Sequence, residues 1–95
     1  MKVQDNLGVL TCWSILNNEE DICYVFHDKD GDWQFLGING ADMEAAAIVT
    51  FKNILRHDSS LKELLDMPMN SVAFRENKNQ PWDINAMTEN SSEKN

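Results

Sequence analysis

Apolar residues in this chain fall into short runs set apart by polar breaks. Val9 to Leu16 and Ile22 to Asp28 are rich in β-branched and aromatic residues, and Asn17-Asn18-Glu19-Glu20-Asp21 between them supplies a loop. The pattern predicts strand, turn and strand. Within the second run Ile22, Tyr24 and Phe26 alternate with Cys23, Val25 and His27, so the first set is expected to face the core. Lys29-Asp30-Gly31-Asp32 places a glycine able to take positive φ beside aspartates, which predicts a turn before a third strand over Trp33 to Ile38. A three-stranded meander follows.

Gly37-Ile38-Asn39-Gly40 ends that strand, and two readings fit what comes next. Met43, Ala47, Ile48, Phe51, Ile54 and Leu55 lie on one helical face after an Asp42 cap. In the rival reading Ala46 to Val49 is a strand, and Thr50 caps a helix running from Phe51 to about His57. A further helix starts near Asp58-Ser59-Ser60, with Ser60 and Glu63 at capping-box spacing, Asp58 as the alternative cap, and Leu61, Leu64 and Leu65 as its apolar side. Pro68 stops it, Met69-Asn70 makes a turn, and Val72 and Phe74 alternate in a last strand. From Asn77 the composition turns polar, with Pro81, Trp82, Ile84 and Met87 as the anchors. Residues 1–76 thus read as one α+β domain. Residues 77–95 read as a polar C-terminal tail, partly ordered near Trp82 and disordered beyond Met87. The expected architecture is an antiparallel sheet of four to five strands with one or two helices packed on one face.

The 95-residue length leaves room for a single core, and the 42% hydrophobic fraction is that of a folded protein. So small a domain spends nearly all its large apolar side chains on that core, which leaves little for a deep cleft. No run approaches the roughly 18 apolar residues of a membrane-spanning helix, and Asp5 after a single Lys2 does not resemble a signal peptide. A cytoplasmic protein is expected. Cys12 and Cys23, on the first two strands, are three or four residues out of register across the turn. At roughly 3.3 Å per residue that offset is about 10 Å, beyond disulfide reach, so both are expected as buried free thiols.

The net charge of −8 is unevenly spread. Between Glu19 and Glu44, eight acidic residues face Lys29 alone, leaving −7, and the remainder of the chain nets −1. Such a field opposes nucleic acid and anionic membranes and attracts a basic protein.

Several residues invite chemical readings. Asp28-Lys29-Asp30-Gly31-Asp32 has alternate carboxylates, but an EF-hand needs Gly sixth and Glu twelfth, whereas Gly31 is fourth and Asn39 twelfth counted from Asp28. A hairpin turn accounts for it better than calcium. Cys12, Cys23, His27 and His57 have no standard zinc spacing, and Cys23 and His27 on one strand stand about 13 Å apart, too far for a nucleophile and its base. No nucleophile elbow or phosphate-cradling glycine loop is present, and no cofactor is implied. Trp13 fits core packing, whereas Trp33 and Trp82 are read equally well as core or as interface anchors.

Taken together, His27-Asp28-x-Asp30-Gly31-Asp32-Trp33-Gln34-Phe35-Leu36, then Asp58-x-Ser60-Leu61, Pro68, Ala73-x-Arg75 and Trp82, resemble a group of small bacterial proteins distantly similar to immunity-type domains of bacterial toxin systems. The match spans about residues 24 to 82, with the Gly-Asp-Trp turn as its most specific part. The chain departs from the group where Ser59 replaces Pro and Asn70 replaces Gly, the second a mild change because Asn tolerates the left-handed region. The resemblance implies an extended segment before the first clear helix, which favours the strand at Ala46 to Val49. It implies occlusion of a partner and no catalytic residues.

The reading is therefore a non-catalytic protein-binding module, immunity-like or regulatory, that uses an acidic hairpin surface against a basic protein. Asp28, Asp30, Asp32 and Trp33 are expected to carry the contact, with Arg75 and Trp82 as a cation–π pair ordering the tail. The alternative is a small enzyme or metal-binding protein built on Cys12, Cys23 and His27.

Overall fold

The first apolar run divides in two. Gly8–Cys12 forms strand β1, and Trp13–Leu16 makes a single helical turn, α1. Asn18, in the left-handed region at φ 63°, follows it. The turn rotates Trp13 out to 55% exposure while Ile15 stays in the core, so Trp13 does not pack in the core as expected. The computed structural model describes residues 6–40 and 43–87. Over those residues four strands follow α1 before the last, namely β2 (Tyr24–His27), β3 (Trp33–Leu36), β4 (Ala46–Thr50) and β5 (Ser71–Phe74), and the last is β6 (Asp83–Ala86).

These strands form one sheet in the order β4-β1-β3-β2-β5-β6. Every neighbouring pair is antiparallel except β1 and β3, which run parallel with Leu10 opposite Gln34. The sheet is therefore mixed and six-stranded, not antiparallel with four to five strands. The expected meander fails at its first step, because β3 inserts between β1 and β2. Adjacency in sequence favours hairpins, but the α1 turn carries the chain away from the β1 edge. The connection from β3 to β4 then returns to the vacant side of β1, where Val9 faces Val49.

Residues 46–50 settle as a strand, and the Thr50 hydroxyl caps the following helix α2 (Phe51–His57) by accepting from the Asn53 amide at 3.1 Å. Asp42, the cap of the rival reading, lies outside the described residues. Phe51 and Ile54 give α2 its buried side, and Phe51 meets Trp33 and Phe35 edge-on at 5.0 and 5.6 Å. The next helical segment is a 3-10 helix, Ser59–Leu64, whose threefold repeat buries Leu61 and Leu64 together. Asp58, not the Ser60–Glu63 box, caps it.

β2 turns the opposite way from the alternation expected of it, and β5, paired with it, faces the same way. Val25 and Ala73 are fully buried among the helices, whereas Tyr24, Phe26, Val72 and Phe74 lie on the far side. Both faces of β2 are apolar, so periodicity alone could not choose, and His27 is accepted inward because its Nδ1 meets the Met67 carbonyl at 2.9 Å and its ring stacks on Trp33. All the helical segments pack into the cluster built on Val9, Val25, Phe35 and Ala73.

Asp83–Ala86, read as tail, pairs along its whole length with β5, and Trp82 packs against the core. An edge strand needs no apolar repeat to be held by main-chain bonds, so its polar sequence hid it. A chain ending at Gln80 is expected to lose about 2–4 kcal/mol of unfolding free energy in urea titration, from the ladder bonds and the indole. Unchanged stability would make residues 81–87 a passive tail.

Candidate functional site

Asp28 organises the β2–β3 turn. Its Oδ1 accepts the amides of Asp30 at 2.9 Å and Asp32 at 3.0 Å, and Gly31 takes φ 91° to bring its own amide to the Asp28 carbonyl at 3.0 Å. The side chains of Asp30 and Asp32 are thereby left at the exposed tip. The aspartates of the turn thus do local hydrogen-bonding work and present a compact negative end. The acidic segment is nevertheless not one patch. Glu20 and Asp21 precede β2 and the turn follows it, so the whole four-residue strand, about 13 Å long, stands between them. Glu20 is occupied by the Ser14 hydroxyl and the Cys12 thiol, and Asp21 accepts the Lys78 amide at 3.1 Å. Gly37 is what lets Glu20 in, since a Cβ there would run into its carboxylate. That constraint joins residues seventeen apart in sequence and left no local signal.

Trp33, expected at the contact surface, is 4% exposed and stacked on His27 with centroids 3.9 Å apart, so it is core. Arg75 is also interior, at 3% exposure. Its Nε donates to the Ile22 carbonyl at 2.9 Å, one terminal nitrogen to Ser60 Oγ at 3.0 Å, and the other to Asp58. The Trp82 ring covers the guanidinium at 4.1 Å, and its Nε1 donates to the same Ser60 hydroxyl at 3.2 Å. The expected Arg75–Trp82 pair is present in this geometry, but as an internal clamp. Ser60 Oγ, read in the sequence only as a helix cap, is its hub.

What faces outward is the sheet side that the inverted alternation exposes. Tyr24, Phe26 and Phe74 form a continuous aromatic strip, with centroid spacings of 5.9 Å for Tyr24–Phe26 and 4.9 Å for Tyr24–Phe74. A groove of about 530 Å³ runs along β2 and β3 from Asp28 and Met87 to the Ile38–Asn39–Gly40 turn, floored by Tyr24, Phe26, Gln34 and Leu36. Ile48, 69% exposed opposite Leu10, extends the apolar side to the far edge. Phe26 and Tyr24 were legible as an apolar pair, but their outward direction was not.

Cys12, Cys23 and His27 do not converge. Cys12 pairs with Ala46, Cys23 lies against the Glu76 carbonyl, and His27 closes the other end of β2. Among the described residues no three His, Cys, Asp or Glu side chains gather as metal ligands, and no helix is long and apolar enough to cross a membrane. Both thiols are free and buried. Burial pushes the Cys23 thiol up, and Asp21 and Glu20 add to this against Arg75. Compared with known proteins, the chain matches no family model, no curated protein and no solved structure.

Three outcomes follow from this geometry. Burial alone would raise the Asp58 carboxyl, but hydrogen bonds from Ser60 and Arg75 and the guanidinium charge hold it below its ordinary 3.8. A depressed carboxylate contributes stability that is complete above the unfolded value and is lost as pH falls through the native one. Thermal unfolding of the wild type should therefore weaken below about pH 4 more steeply than that of Asp58→Asn, and Asp58→Ala should cost about 3 kcal/mol at neutral pH by stranding the Arg75 charge. Cys12 and Cys23 should react with a disulfide reagent about a hundredfold more slowly in the native protein than in urea. A fast native thiol would revive a nucleophilic role.

Proposed function

We propose that this chain is a non-catalytic protein-binding module, immunity-like or regulatory, whose partner is a basic protein. The observation that carries the proposal is the half-buried aromatic strip Tyr24–Phe26–Phe74 on the sheet face away from the core, next to the acidic turn of Asp28, Asp30 and Asp32. A small domain that directs three aromatic rings away from its core while burying Ser71, Ala73 and Arg75 presents an apolar face with a charged end, the composition of an interface core and its rim. The turn carboxylates steer a basic partner to that face and set its orientation, and the rings supply the desolvated contact.

The resemblance to immunity-type domains fits this reading, since such domains occlude a partner without chemistry of their own. Trp33, Arg75 and Trp82 contribute by holding the turn and the last strand in place, and Asp28, Asp30 and Asp32 remain the contact residues proposed. The partner is expected to be neither nucleic acid nor membrane, because the net charge of −8 repels both.

The test is capture from host lysate with the wild type and with Asp30→Lys/Asp32→Lys, identifying retained proteins by mass spectrometry. A basic protein held by the wild type at low salt should bind the double variant at least about tenfold more weakly, with the difference shrinking as salt rises. A partner that binds both equally at low salt overturns the acidic-turn reading.

A further inference from the structure

We infer that the groove on the open sheet face is a slot for one arginine side chain of the partner, with the guanidinium lying on the Phe26 and Tyr24 rings and paired with Asp28. This rests on the reading of the chain as a binder of a basic protein and specifies the group through which it binds.

Three features of the groove select that group. Its floor is aromatic, because Tyr24 and the Phe26 ring stacked beside it line the groove, and a ring face next to a carboxylate suits a flat cation. Its end is a carboxylate whose orientation is already fixed, because Asp28 Oδ1 is held by two backbone amides and its second oxygen takes no part in the turn. A carboxylate held in this way loses little freedom on pairing, which strengthens a charge-assisted bond over that of a mobile surface side chain. Gln34, opposite Phe26 on β3, adds an amide at the floor midway between the carboxylate and the apolar end formed by Leu36 and Ile38. The groove thus grades from charge to aromatic to aliphatic, matching an arginine from its head along its stem.

Other occupants fit less well. An apolar side chain would cover the half-buried Asp28 without giving it a partner, which carries a desolvation cost. An anion meets the same carboxylate and the charged turn beyond it. Lysine brings charge but not a plane, so it forgoes the stacking and the fork-shaped pairing that a guanidinium makes with a carboxylate.

The experiment is a titration of the isotopically labelled protein with N-acetyl-arginine methylamide, followed by amide resonances, with the lysine analogue in parallel. Shifts should centre on Phe26, Asp28 and Gln34 and saturate at about millimolar ligand, with lysine several-fold weaker. Asp28→Asn keeps the Oδ1 acceptor of the turn, so it should leave the unfolding temperature unchanged while weakening arginine binding about threefold or more. Phe26→Leu keeps an apolar floor and should weaken it comparably by removing the ring. Shifts confined to Asp30 and Asp32, or a titration indifferent to both variants, would overturn the slot. Because the probe is a single amino acid derivative, that result leaves capture of a basic protein by the acidic turn standing. Conversely, arginine binding that survives while no basic partner is retained would overturn the functional reading and not the slot.

Discussion

A guanidinium inside a protein must have its donors satisfied and its charge balanced, and in this chain the groups that do so for Arg75 come from three separate stretches of sequence. The Ile22 carbonyl precedes β2, Asp58 and Ser60 begin the 3-10 helix, and Trp82 precedes β6. None of these contacts is optional once Arg75 is buried, because an unpaired charge there costs more than the domain can spare. The arrangement therefore ties the last two strands, the entry to β2 and the helical layer to a common centre. It also explains why a strand as polar as Asp83–Ala86 belongs to the sheet: the indole just before it closes the guanidinium from above.

The same centre constrains which way β5 faces. With Arg75 directed inward, alternation sends Ala73 and Ser71 inward too, and Val72 and Phe74 out. β2 pairs with β5 residue for residue, so Tyr24 and Phe26 join them on the open side. The core is completed instead by Phe35, Trp33 and Phe51, with Leu61, Leu64 and Met67 from the helical layer. An interior ion cluster thus has a consequence on the opposite surface, where the displaced aromatic residues make the strip that a partner would meet. The acidic turn joins that strip because Asp28 follows β2 directly and its carboxylate bridges the turn to itself.

Where an element is set by neighbours in sequence, the residues announced it. The Asp28–Gly31 turn, the Thr50 cap, the extended Ala46–Val49 segment and the strands around Tyr24, Trp33 and Val72 are each fixed by dihedral preference, a local hydrogen bond or β-propensity acting over a few residues. The candidate site was legible only in part. Asp28, Asp30 and Asp32 stand where their turn chemistry put them, whereas Trp33, read equally well as core or interface, and Arg75, expected to order the tail with Trp82, proved interior.

By itself, then, the sequence determined an α+β chain with an acidic hairpin turn and the extents of most of its strands, because those properties depend on composition and on contacts between near neighbours. Only the tertiary structure decided that β3 lies parallel to β1, that Asp83–Ala86 is a strand, and that the aromatic residues of β2 and β5 face away from the core. Each of those outcomes depends on a partner distant in sequence, such as Val49 for Val9, Asp58 for Arg75 or Phe74 for Tyr24. A strand that is apolar on both faces has no periodicity from which its direction can be read.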